Sequence, residues 1–397
     1  MAITDKEKGV WGLDQVYNKI NQGSIWEYTG MSGLWSWGYN SKGQQGQNSP
    51  TAYYSSPTQV GSDPFVHISK GYFEARYYLA TTSGGKMYSW GWNNKGQLGQ
   101  NDDTGDGKSS PIQIGSDTTW NHGCHGSNSS VAVKTDGTLW SWGYNASGEL
   151  GLNNKTDYSS PVQIGSGTDW ATAYGSHAFS QYNVHSIKTD GTLWAWGHNG
   201  NGKLGLNQST PARVSSPTQI PGTWSKVAST HLTVHAIKTD GTLWSWGYNG
   251  FGNGGTNNTT QYSSPKQVGS DTTWAAVTQG SKSTYATKTD GTLWSWGYNG
   301  FGQLGQNSQS ENVTYSSPVQ IPGTTWTTSM GLLNGEDRFV LVGKTDGTIW
   351  GWGSNIQGQL GQNNRTAYSS PVQVGSGSWG TTSISGNVYA SAFTGQL

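Results

Sequence analysis

One phrase recurs along this chain and fixes most of what it can fold into. Leu-Trp-Ser-Trp-Gly at 34–38 returns as MYSWG at 87–91, LWSWG at 139–143, LWAWG at 193–197, LWSWG at 243–247 and 293–297, and IWGWG at 349–353. Its second Trp therefore steps by 50 to 56 residues, a period that belongs to repeat architectures. Ser-Ser-Pro also occurs seven times, ending at Pro57, Pro111, Pro161, Pro217, Pro265, Pro318 and Pro371. A further Trp follows each Pro from Trp120 to Trp379, with Phe65 in its place in the first unit. Nineteen of the 22 tryptophans fall in these phrases, so most of them are architecture.

Each unit reads as β. In "AIKTDGTLWSW" the apolar residues alternate around Asp-Gly, and Gly tolerates the positive φ of a tight hairpin. The residue between the paired Trp is always small, which suits face-to-face sheets in which small side chains make room for a neighbour's indoles. Pro in Ser-Ser-Pro cannot donate to a ladder and marks a strand entry or an outer edge.

The ends indicate the topology. The first LWSWG lacks the "AIKTDG" strand before it, and the last segment, "YASAFTGQL", has that strand without LWSWG after it. Joined, they rebuild one unit. The expectation is an all-β, seven-bladed β-propeller of four-stranded blades, closed by pairing of the N- and C-terminal strands. It would occupy residues 31–397, preceded by an anchor or docking segment at 1–30, helical or extended.

"DGTLWSWGYNGFGQLGQN" resembles the repeat of the regulator of chromosome condensation family, over about residues 31–397. The resemblance implies a propeller fold. The family's His appears as His185 and His235, while Val131, Tyr285 and Leu341 stand there elsewhere. G-N-G-G at 252–255 departs from G-Q-L-G, and a slightly underpacked blade is expected there. The founding members' chromatin binding and nucleotide exchange depend on basic tails and acidic loops that this sequence does not show.

Composition narrows the function. Lys plus Arg and Asp plus Glu number 22 each, so no net field favours nucleic acid. The single Cys124 excludes an intrachain disulfide framework, and no apolar run is long enough for a membrane helix. The opening residues do not form a secretory signal. No catalytic grouping, cofactor motif or complete metal set stands out; the chain reads as non-enzymatic. His122, Cys124 and His125 form H-x-C-H without further ligands. Asp102, Thr104, Asp106 and Gly107 match part of a calcium loop, but Gln113 stands where its Glu belongs, leaving a solvated turn as the alternative.

The residue after each W-x-W-G is Tyr39, Trp92, Tyr144, His198, Tyr248, Tyr298 and Ser354, aromatic in six units. These begin the loops leaving one strand, so they should gather on one face as candidate ligand-binding residues. The following Asn (40, 93, 145, 199, 249, 299, 355) could bond sugar hydroxyls or hold its own turn. A second aromatic row, Tyr54, Tyr158, Tyr262, Tyr315 and Tyr368, precedes Ser-Ser-Pro and reads as packing.

The non-repeated N-terminus carries a possible helical stripe of Val10, Leu13, Val16, Tyr17 and Ile20, with Trp11 beside it. "GVWGLDQVYNKINQGSIW" resembles leaders on virion proteins of marine tailed phages. It implies a phage virion protein, made in the host cytoplasm without a signal peptide. Its N-terminal segment would bind a virion structural protein. Its propeller would bind a host-surface glycan or protein, with homo-oligomers allowed and no nucleic acid or membrane insertion. The alternative is a soluble protein-binding propeller, inhibitor-like or an intracellular regulatory scaffold.

Overall fold

The structure, a computed structural model, describes residues 32–397 apart from 50–52, 72–75, 106, 173–176, 181, 208–211, 231, 309–312, 330–332, 336–337, 357, 363, 376–380, 388–389 and 397. The second blade shows how a unit is made. Trp120–His125, Ser129–Lys134, Leu139–Gly143 and Tyr158–Gln163 run antiparallel from the inside of the ring outwards. Asp136 Oδ1 accepts from Thr138 N (2.9 Å) and Oγ1 (2.7 Å), which fixes the hairpin between the second and third strands. Gly137 sits at φ 79°, and a Cβ there would lie 2.2 Å from the Thr168 carbonyl oxygen, so no other residue fits this turn. Ser-Ser-Pro lies within the outermost strand, where a missing N–H leaves no ladder partner unsatisfied.

Five further blades repeat this order. The first contains Phe65–Ile68, Tyr77–Thr82, Met87–Gly91 and Lys108–Gln113, and the third His177–Phe179, Asn183–Ile187, Leu193–His198 and Arg213–Ile220. The fourth spans Trp224–Ser229 to Tyr262–Gln267, the fifth Trp274–Gln279 to Thr314–Ile321, and the sixth Leu333–Gly335 to Tyr368–Gln373. Lys70–Gly71 adds to the second blade in parallel.

The expectation of seven equivalent four-stranded blades is corrected here. Six blades, not seven, take their four main strands from one successive stretch of chain, and one of the six also takes in Lys70–Gly71 from within the first. The terminal strands form a sheet of another kind, ordered Tyr53–Val60, Ser32–Tyr39, Ala390–Gln396, Thr381–Asn387, with Leu34 opposite Thr394 and Trp35 opposite Phe393. Counting W-x-W-G phrases overcounts blades because the first phrase has no inner strands of its own. No α-helix occurs among the described residues, only a 3-10 turn at Gly200–Gly202. The anchor residues Val10, Trp11, Leu13, Val16, Tyr17 and Ile20 lie outside the described residues.

The core sits between blades. Leu79 and Leu98 of the first blade pack with Trp120, Ala132 and Trp142 of the second, and the same kind of cluster recurs around the ring. In the six phrases from MYSWG onwards the second Trp is buried and donates its indole N–H to the loop of the preceding sheet. The acceptors are Gln44 O for Trp90, Gln97 O for Trp142, Glu149 O for Trp196, Lys203 O for Trp246, Asn253 O for Trp296 and Gln303 O for Trp352, at 2.7–2.9 Å. The last Gly of G-Q-L-G lies against that indole; a Cβ on Gly99 would stand 2.9 Å from Trp142 Nε1. Beyond it, a positive-φ Asn reaches the neighbour's Ser-Ser-Pro. Asn101 N donates to Ser159 O (2.8 Å), and Ser160 Oγ to Asn101 Oδ1 (3.2 Å).

The small residue between the paired Trp has a different reason from the one its size suggests. Ser245 is buried and donates to Gly254 O in its own loop (2.7 Å), as Ser89 does to Leu98 O. In the G-N-G-G loop Gly254 N bonds Asn249 Oδ1 at 2.6 Å, and Gly254 stands where the other five blades bury a Leu.

Trp196→Phe removes the donor to Glu149 O and should cost about 1–3 kcal/mol for the orphaned carbonyl, with lost volume added. Trp194→Phe, at a half-buried ring, should cost less. Denaturant midpoints of the two variants check this ordering; equal midpoints would refute the role given to the inter-blade bond.

Candidate functional site

The loops leaving the W-x-W-G strands gather on one face. In the six blades the backbone N–H of the residue after the phrase donates to the residue just before the blade's second strand. Trp92 bonds Arg76 O, Tyr144 Asn128 O, His198 Tyr182 O, Tyr248 Leu232 O and Tyr298 Lys282 O, at 2.8–2.9 Å. Trp92, Tyr144, His198, Tyr248 and Tyr298 are all half-buried at equivalent positions. The side chain of Tyr39 lies outside the described residues.

What holds these rings is legible from their neighbours. Tyr248 and Tyr298 lie over Gly250 and Gly300, where a Cβ would meet the phenol oxygen at 2.2 and 2.1 Å. His198 Nδ1 accepts from Gly200 N (3.1 Å). The residue three places on reaches the next blade's aromatic. Lys42 stands over Trp92 (5.2 Å), Lys95 over Tyr144 (5.4 Å), and Phe251 packs on Tyr298 (5.9 Å). Arg76 also covers Trp92 (5.2 Å), Lys282 covers Phe251 (4.9 Å) and Tyr298 (5.4 Å), and Arg338 covers Phe301 (4.8 Å). Lys42 and Lys95 are exposed, and Ile356, on the equivalent loop of the sixth blade, is 54% exposed. The aromatic row is thus a half-open belt of rings and cations that straddles blade boundaries. Sequence reading missed the cations because their partners lie 16 to 50 residues away.

The Asn row is committed to its own turns. Each is buried, and its Oδ1 accepts from the N–H five residues on, as Asn93 does from Leu98 N (3.1 Å) and Asn299 from Leu304 N (3.0 Å). In the Tyr row, Asn154, Asn258 and Asn364 donate to the hydroxyls of Tyr158, Tyr262 and Tyr368.

Two charged residues replace Gln in G-Q-L-G. Gln303 Oε1 accepts from Phe301 N (2.8 Å), and Glu149 Oε2 accepts from Ser147 N (2.7 Å) in the same way. Glu149 has no amide to offer, and its Oε1 is buried without a partner. Burial pushes its carboxyl up to about 7, and burial brings Lys203 down to about 7.

Other sequence candidates come apart. Cys124 packs with Val131, Val133 and Phe179 of the next blade's boundary, while His125 lies on Tyr77 of the previous blade (4.8 Å). Asp102 Oδ1 accepts from Thr104 N, Oδ2 stands 3.6 Å from Lys108 Nζ, and Asp106 lies outside the described residues. Among the described residues, no three His, Cys, Asp or Glu side chains gather as metal ligands. No helix among them is long and apolar enough to cross a membrane. On the opposite face, five lysines (134, 188, 238, 288 and 344) each lie between two indoles.

These features define a repeat propeller whose loops fasten neighbouring blades and whose one face carries the belt. The chain belongs to the regulator of chromosome condensation (RCC1) repeat family, whose repeat matches residues 84–133, 136–179, 190–231, 290–330 and 346–388, more than half of the sequence. A second form of the repeat matches residues 274–303. The human X-linked retinitis pigmentosa GTPase regulator is 35% identical over 32% of this chain and 12% of its own length. The ultraviolet-B receptor UVR8 of Arabidopsis thaliana is 28% identical over 43% of this chain and 38% of its own length. The matches therefore span about an eighth to two fifths of these relatives. Human WBSCR16 shares the fold at a TM-score of 0.77 and 17% identity, covering 92% of this chain and 99% of that one. Prp20p from Saccharomyces cerevisiae, whose structure was described with its binding to Gsp1p and histones, does so at 0.77 and 16%, covering 93% of each.

Glu149→Gln should stabilise the protein by about 1–2 kcal/mol at pH 8. The carboxyl's folded value of about 7 lies above the ordinary 4.5, so its favourable neutral form is lost as pH rises between them. The variant's advantage should be small at pH 4.5 and grow towards pH 8. A pH-independent difference in melting would refute the assignment.

Proposed function

We propose that this chain is a protein-binding propeller that engages its partner through the belt of half-buried aromatics and cations. The observation that carries the reading is the alternation of ring and cation across blade boundaries, with exposed Ile356 on the same face. Preordered Trp, Tyr and Arg side chains lose little entropy on binding and dominate protein interfaces energetically. Cations already held over rings favour an acidic partner surface and fast, salt-sensitive association. Prp20p, of the same fold, binds Gsp1p and histones, and the relatives include a GTPase regulator; both favour a regulatory protein-binding role. The virion reading, with its host glycan and particle location, rests on the leader at 1–30, and the relatives favour the soluble alternative.

The test uses the full chain. A photo-crosslinking residue in place of Ile356 should capture the partner in the native source. Lys42→Glu combined with Lys95→Glu should then weaken the purified pair by about tenfold or more with melting unchanged. Undiminished binding by this double variant would move the interface off this face.

A further inference from the structure

The opposite face carries a repeated clamp whose charge is completed in some units and not in others. Lys134 lies between Trp120 and Trp140, and Asp117 Oδ2 stands 2.5 Å from its Nζ. Burial opposes ionisation of Asp117, yet bonds from Lys134 and Thr119 outweigh it and hold the carboxyl at about 2. Lys188 lies between Trp170 and Trp194 with Asp169 Oδ2 at 3.0 Å, and Lys288 between Trp274 and Trp294 with Asp271 Oδ2 at 3.0 Å. Three units thus give the clamped ammonium a carboxylate.

Lys344 is held in the same way, 4.7 Å from the Trp326 ring and 4.2 Å from Trp350. Its strand partner is also the same: Thr345 N bonds Thr325 O as Thr189 N bonds Asp169 O. Thr325 therefore stands where the third blade has Asp169, and no carboxylate forms an ion pair with Lys344 among the described residues. The nearest acid, Asp346, lowers its own titration through Thr348 first and Lys344 only weakly, and its Oδ1 is spent on Thr348 N and Oγ1.

A groove of about 330 Å³ opens beside this lysine, between the fifth and sixth blades, walled by Pro322, Trp326, Trp350 and Pro371. Several of its other polar atoms are engaged: Asn307 Oδ1 accepts from Ser370 Oγ, Gln306 Nε2 donates to Ser295 Oγ, Trp326 Nε1–H donates to Pro322 O, and Trp350 Nε1–H to Thr348 Oγ1. The corresponding groove between the second and third blades, about 570 Å³, also contains its lysine, but there Asp169 already holds it. A fixed ammonium at the side of an aromatic groove, with no carboxylate paired to it among the described residues, is arranged for an acid from outside.

We propose that the groove at Lys344 binds a carboxylate attached to a small apolar body. The lysine takes the acid as its sibling takes Asp169, and Trp350 and the two prolines cover the apolar part. The site is independent of the belt on the other face. The acid could be a free small molecule or a Glu side chain, and the probes separate these.

The indole N–H resonances of the full-length protein are followed by NMR while 3-phenylpropanoate, its amide, or the blocked dipeptide N-acetyl-Leu-Glu-amide is added. The acid or the dipeptide should shift Trp326 and Trp350 but leave Trp170 and Trp194 unmoved, and the amide should shift none. The tighter of the two acids identifies the source. Thr325→Asp, at an exposed position, supplies a counter-ion and should weaken binding about tenfold or more while the protein stays folded; Lys344→Met should do the same. Equal binding of the amide, shifts at Trp170 as large as at Trp326, undiminished binding by the Thr325→Asp variant, or no shift with either acid would each overturn the proposal.

Discussion

A buried indole N–H that donates to the previous blade's loop is the contact on which the ring depends. In six units the second Trp fills the space between sheets and donates to a loop carbonyl, which in four of them also pairs with Ser130, His185, Thr284 or Tyr285. Burying so large a ring is worth a few kcal/mol, and the hydrogen bond makes the contact directional. The neighbouring sequence follows from it. Gly99 and its equivalents are required because a side chain would strike the indole, and Ser89 and its equivalents hold the loop at the right height. The repeated phrase is a fastening between blades more than a recipe for one blade.

That fastening leaves the two faces free to differ. On one, the loop that carries the acceptor carbonyl also places an aromatic and, three residues later, a group that reaches the next blade's ring. On the other, the Asp-Gly hairpin and the lysine before it form a clamp with two indoles. A frame that repeats its contacts so closely makes each departure informative. Glu149 and Lys203 in place of Gln, and Asp169 where Thr119, Thr223, Thr273 and Thr325 stand in the other units, are changes at positions whose normal role the sibling units define. Substitutions at such sites can be judged against copies in the same molecule.

The strands, hairpins, outer-edge prolines and buried tryptophans were legible in the sequence because each rests on local chemistry of fixed period. The aromatic row was legible as a row for the same reason. Its surroundings were not: Lys42 meets Trp92, and Lys282 meets Phe251, only because adjacent blades bring distant loops together. The Asn row shows the converse error. A polar side chain repeated on a loop reads as available for ligands, yet each is buried and committed to a backbone N–H five residues away.

The sequence by itself determined a repeated β unit, its turns and its family, since alternation, Asp-Gly chemistry and a period of 50 to 56 residues survive without any tertiary information. Tertiary structure decided which units are self-contained. The four main strands of six blades follow one another along the chain, whereas Leu34 finds its partner at Thr394, a pairing set by where the ends meet. It also decided which charges are answered. Lys188 and Lys344 carry the same local sequence, Lys-Thr-Asp-Gly-Thr, and differ only in what the preceding strand places beside the ammonium. Local chemistry is set by neighbours along the chain, but the balance of a half-buried charge depends on every group the fold brings within a few ångströms.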